Sequence, residues 1–222
     1  MARRMLPYRG SNNKSEAIEV IFMDASVFWN VIGTYNEQTI ILQIVLLIAL
    51  ISAIILSYTH IATWAAKFAL GMTNLFIGVV FFGWYGTEPI QKYFALPLYL
   101  LCGGLFLFES WNNRADVIER PNLLQRLLLL LFLLYPLVSL LLGNTFPQMV
   151  TYIMPCPVVS LSIIVYACYQ RKNKALLILL TVWGLTGIKS VIFNAYEDII
   201  LLLCGLYGVV LCGNELKQLP KK

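Results

Sequence analysis

Cys156 lies between Pro155 and Pro157, directly after Met154, where an apolar segment begins. A thiol can act as a nucleophile, a redox group or a soft-metal ligand. At a helix N-terminus it meets unpaired amide hydrogens and the positive end of the helix dipole, which favour thiolate, while apolar surroundings oppose it. With the thioethers of Met154 and Met149, a thiolate would form a donor set suited to Cu(I) or a similar ion. Lys189 sits five residues before the end of the apolar run 175–194. By helix rise that is about 8 Å below the surface, where an ionisable group ordinarily faces a cavity or a counter-charge. Its candidate partners are Cys156, Glu88, Glu197 and Asp198; outward snorkelling is the plainer alternative. Asn36 and Asn144 complete the candidate ligand or ion pocket: Asn36, Glu88, Asn144, Met154, Cys156, Lys189, Glu197 and Asp198.

Enzymatic chemistry has less to stand on. The single histidine, His60, falls at the opposite side of the chain's apolar runs, so no Ser/His/Asp or His/Cys set can form. A resolving partner for the thiol, Cys168, is about 18 Å further along the same helix. Phosphate-cradling loops, zincin motifs and cofactor motifs are absent from the sequence. No catalytic residue and no cofactor is nominated.

The elements that carry these residues follow from hydropathy. Proline lacks an amide hydrogen and fits only the first turn of a helix, so a helix begins near Pro155 and ends by Arg171. About 14 residues at ~1.5 Å each give roughly 21 Å, short of the ~30 Å hydrocarbon core, which puts the head of this helix below the membrane surface. Hydrophobic residues make up 59% of the 222 and charged residues 12%, with a mean hydropathy of +0.77, too apolar for a soluble domain. The expected architecture is an all-α polytopic bundle of seven transmembrane helices at 38–58, 64–84, 91–111, 123–142, 155–169, 175–194 and 197–212, the fifth and seventh short. Residues 1–15 form a basic arm, 16–37 an interfacial amphipathic helix, 38–212 the membrane domain and 213–222 a basic tail. Met23 is an alternative start.

Trp64, Trp84 and Trp111 fall at run ends, as interfacial aromatics do. Gly184 with Gly187, and Gly205 with Gly208, suit close helix packing. Tyr135-Pro136 predicts a kink in the fourth helix, opening a pocket among the fourth, fifth and sixth helices under residues 144–154. Lys67, Arg114, Arg120, Arg126, Arg171, Lys172, Lys174, Lys217, Lys221 and Lys222 gather on one side, giving an external N-terminus and a cytoplasmic C-terminus. The opposite, outer side has more acids than bases outside the arm, which would concentrate cations. Five cysteines without a CxxC spacing argue against a disulfide framework.

Tyr135-Pro136-Leu137-Val138, Gly143, Pro147, Pro155-Cys156-Pro157, the run through Trp183-Gly184, Glu197-Asp198 and Tyr35-Asn36-Glu37 together resemble a family of bacterial multi-pass membrane proteins known only as a domain of unknown function. The resemblance covers about residues 22–212. The family pattern has a histidine after the glycine matching Gly143, where this chain has Asn144, so no His-plus-Cys metal pair carries over. The resemblance implies architecture and no activity.

Three functions remain open. Transport or sensing of a small solute or soft cation uses the pocket at Cys156. A structural or partner-binding subunit would use that cysteine as a buried hydrophobe. A thiol enzyme would need Lys189 or an outer carboxylate beside it. The partners implied are the lipid bilayer, a small solute or a soft metal cation; homo-oligomerisation is open, and nucleic acid is not implied.

Overall fold

The structure is a computed structural model that describes residues 25–191 and 195–217. The basic arm and residues 16–24 of the expected interfacial helix lie outside the described residues. Helix α1 spans Ala25–Tyr58. Helix α2, Ala65–Phe76, continues as a π-helical stretch, Ile77–Tyr85. A second π-helical turn, Gln91–Ala95, leads into α3, Leu96–Asn112. Helices α4, Leu123–Leu133, and α5, Tyr135–Leu141, meet at a 50° bend. Helix α6 is Pro155–Ala167, and α7, Lys174–Leu185, ends in a 3-10 segment, Thr186–Val191. A short 3-10 turn, Tyr196–Asp198, opens α8, Ile199–Lys217. Four helices, Val27–Tyr58, Ala65–Tyr85, Gln91–Asn112 and Tyr196–Lys217, are long and apolar enough to cross a membrane, and the bent pair would make a fifth.

Local chemistry accounts for the breaks. Asn122 and Gln125 form a capping box that starts α4. Asn173 caps α7 by accepting from the Ala175 and Leu176 amides. Pro136 ends the α4 hydrogen-bond ladder as expected, and the Tyr152 hydroxyl donates to the carbonyl of Leu133 at 2.8 Å.

Helix α6 is the hub. Pro157 and every residue from Val158 to Tyr166 are buried, the pattern of a helix enclosed on all sides. Its 13 residues reach about 20 Å. It starts at the residue the prolines indicate, and its neighbours shield its ends.

Three expected boundaries move. The interfacial helix 16–37 does not stand apart from the first span, because α1 runs unbroken from Ala25. Its polar residues Asn36, Thr39 and Gln43 are buried and bonded within the protein. The short sixth run is α7, 12 residues before the 3-10 turn, whereas the seventh run is long because α8 carries on to Lys217. Lys172 and Glu215 pair at 3.4 Å beside that extension.

The glycines of α7 and α8 pack against one another's backbone. A methyl group on Gly205 would collide with the backbone carbonyl carbon of Gly184. Gly205→Ala is therefore expected to separate α7 from α8 and cost about 1–3 kcal/mol, read as a lower unfolding midpoint in detergent. The same change at Gly104, which meets nothing within 4 Å, should leave that midpoint unchanged.

The end of the bundle away from the head of α6 is closed by ions. Lys67 is completely buried, with Nζ 2.6 Å from Asp116 and 3.4 Å from Glu109. The Tyr169 ring lies 4.3 Å from the ammonium. Lys67 is thus an internal charge inside α2 rather than a free one in a connection. Arg114 at the same end stacks on Trp64 and Trp111.

Candidate functional site

Two tyrosines frame the head of α6. Tyr35 of α1 donates to the carbonyl of Ile153 at 2.6 Å, and Tyr99 of α3 donates to that of Pro155 at 2.7 Å. Both rings are fully buried. Met154, between the two bonded carbonyls, takes the extended backbone of an N-cap residue. Pro155 and Pro157 bring no amide hydrogen, and the Val158 amide bonds to Met154. The Cys156 amide is therefore the one donor of the first turn left over, fewer than a helix N-terminus normally presents.

The thiol of Cys156 is half-buried and donates to Asp198 Oδ2 at 3.2 Å. Of the neighbours considered for it, Lys189 and the outer carboxylates, the one bonded to it is the carboxylate of Asp198. Both residues line a pocket of about 280 Å³. The walls are Phe28 and Ile32 of α1, Phe81 and Phe82 of the first π-helical stretch, and Ile90, Gln91, Phe94 and Ala95 around the second. Trp183, Thr186, Lys189 and Ser190 of α7 and its extension, with Val150, Met154 and Ala195, close it. Trp183 is edge-on to Phe82 and Tyr99, at 5.5 and 5.0 Å, and stacked with Phe94 at 6.4 Å. π-Helical stretches are rare and often border functional sites; here two of them face the same pocket.

The eight residues expected to form one site divide. Met154, Cys156, Lys189 and Asp198 line the pocket. Asn36, Glu88, Asn144 and Glu197 do not. Asn36 is consumed in holding the 147–151 segment, donating to the carbonyls of Pro147 and Met149 at 2.7 and 2.8 Å. Glu88 sits in the turn before the second π-helical stretch, where its amide donates to Gln91 Oε1. Asn144 and Ser139 donate to Glu197 Oε1 at 3.4 and 2.9 Å. Glu197 is fully buried, and its Oε2 has no partner among the described residues. Lys189 is exposed and makes no ion pair among the described residues.

The pocket keeps the expected α6, α7 and 144–154 walls but not the fourth helix. The kinked α4–α5 pair does not line it; α1 and the π-helical stretches around residues 77–95 do. The reason is that α1 begins early enough for Phe28 and Ile32 to reach the head of α6. The soft-metal set loses a member, since Met149 is off the pocket wall and Met154 Sδ accepts the Thr151 amide at 3.1 Å. Among the described residues, no group of three or more His, Cys, Asp or Glu could hold a metal ion. The aromatic wall was missed in the sequence, and Phe81-Phe82 beside Trp84 was the signal available for it.

A short, enclosed helix with an apolar pocket at its head, inside an all-helical bundle with four or five helices able to cross a membrane, defines the class. The chain belongs to DUF6064, a family of unknown function, which it matches over residues 25–219. Neither a curated protein nor a solved structure matches it.

Proposed function

We propose that this is an integral membrane protein that binds a small organic molecule in the pocket at the head of α6, as the recognition step of transport or sensing. One observation carries the reading: a cavity of about 280 Å³ whose walls are mostly apolar and aromatic, with Cys156, Asp198, Gln91, Thr186, Lys189 and Ser190 as its few polar groups. That combination is how small-molecule sites are built. A soft cation is the weaker alternative, because the sulfur of Met154 is engaged and the thiol faces one carboxylate.

The membrane reading rests on the outward faces. Ile41, Ile44, Val45, Ile48, Ile51 and Ile55 of α1 are all exposed, a surface suited to lipid. Arg114, Arg120, Arg126, Arg171, Lys172, Lys174 and Lys217 still outnumber Lys92 and Lys189 after Lys67 is set aside. The seven runs then alternate across the bilayer, with α6 and α7 as short passes, and the pocket and N-terminus lie outside.

The test is mass-mapped labelling of intact cells with a membrane-impermeant maleimide. Cys156 should be modified, while the buried Cys102, Cys168 and Cys204 should react only after unfolding. A Cys156 as inert as those three would remove the pocket reading. Labelling only in inverted vesicles would reverse the orientation.

A further inference from the structure

We infer that the ligand of this pocket is a zwitterion of amino-acid size, with its ammonium group against Asp198 and its anionic group toward Lys189. The inference rests on the pocket reading above and adds the chemical class. Asp198 and Lys189 line the same cavity, yet they do not pair with each other. Asp198 has no cation on it among the described residues. From those residues its Oδ2 receives the weak donor of the Cys156 thiol, at 3.2 Å. A carboxylate at the wall of an apolar cavity is costly without a counter-charge, and a ligand ammonium would supply it.

The walls suit the same group. Phe82 and Trp183 present aromatic rings to the cavity, and ring faces attract ammonium ions when water is excluded. An anionic ligand alone would set a negative group against Asp198. A cationic ligand alone would leave Lys189 and the hydroxyl-bearing Thr186 and Ser190 beside it without a partner from the ligand. A cavity of about 280 Å³ is at the small end of the ~300–1,000 Å³ usual for organic ligands. That size accommodates an aryl or branched alkyl side chain.

Three probes with one apolar body and different charge test this on the full chain in detergent: phenylalanine, phenethylamine and hydrocinnamate, by calorimetric titration. Phenylalanine should bind more tightly than either singly charged probe by about tenfold or more, the worth of one charge-assisted hydrogen bond. Asp198→Asn should abolish the preference over hydrocinnamate, and Lys189→Gln the preference over phenethylamine. Unfolding midpoints of both variants report whether they fold. A singly charged probe that binds the wild-type protein as tightly as phenylalanine overturns the zwitterion and leaves the pocket reading standing. Binding by none of the three, with Cys156 labelling unaltered at saturating concentrations, overturns the zwitterion too. Failure of the pocket reading itself is seen separately, as an unreactive Cys156.

Discussion

Lys67→Met is expected to destabilise the bundle by about 3–5 kcal/mol, because two buried carboxylates would lose their common cation. Glu109 and Asp116 are 5% and 6% exposed, and Lys67 is fully enclosed. The cluster is more than one pair: Asn113 donates to Glu109 Oε2 at 2.8 Å, and the Arg171 amide donates to Asp116 Oδ1 at 3.2 Å. It therefore joins α2, the end of α3, and the connections before α4 and after α6. Removing only the ammonium leaves all of those groups in place around two unpaired anions. The triple variant Lys67→Met, Glu109→Gln, Asp116→Asn removes cation and anions together, and it is expected to regain most of the loss. In thermal unfolding in detergent the single variant should fall by about 10 °C. A Lys67→Met midpoint within error of wild type would mean that the cluster does not hold this end closed. The pocket lies at the opposite end, so Cys156 labelling at low temperature should be unaffected.

That cluster marks a limit of reading the sequence. Lys67 entered the topology argument as a positive charge near a run end, since hydropathy cannot tell a lysine in headgroups from one inside the protein. The distinction requires Asp116 and Glu109, which are 49 and 42 residues away. Prolines, whose effects are local, were legible: Pro155 starts α6, and Tyr135-Pro136 sits at the bend. Cys156, Met154, Lys189 and Asp198 were found because ionisable or sulfur-bearing groups are rare in such runs, and the structure gathers them on one wall. Asn36 and Glu197 are equally rare, but their bonds run to segments more than fifty residues away. Polar residues in an apolar helix announce that they have a partner without saying whether it is a ligand or the fold.

Asn36→Leu is the second large effect expected, and it links the fold to the pocket. Asn36 Nδ2 donates to two carbonyls of the segment over the head of α6, those of Pro147 and Met149. Its Oδ1 accepts from Gln43 at 3.1 Å and from the Thr151 hydroxyl at 3.3 Å. Leucine would leave two carbonyls short of a partner and the Gln43 amide with Thr39 alone, while the Thr151 hydroxyl keeps Gln43 Oε1 at 2.7 Å; each group that water cannot reach costs about 1–3 kcal/mol. The total expected is about 2–5 kcal/mol. Part of that loss should be local, because Tyr35 and Tyr99 still hold Ile153 and Pro155 while the 147–151 segment is released. Val150 and Met154 of this stretch are pocket walls, so Cys156 should react faster with maleimide even below the unfolding transition. Asn36→Asp separates geometry from hydrogen bonding: it keeps the shape and the acceptor but turns the amide nitrogen that donates to both carbonyls into an anionic oxygen. It should match leucine in labelling rate. If either variant lowers the midpoint with no change in labelling, Asn36 braces α1 alone and the segment above the pocket is held by the tyrosines.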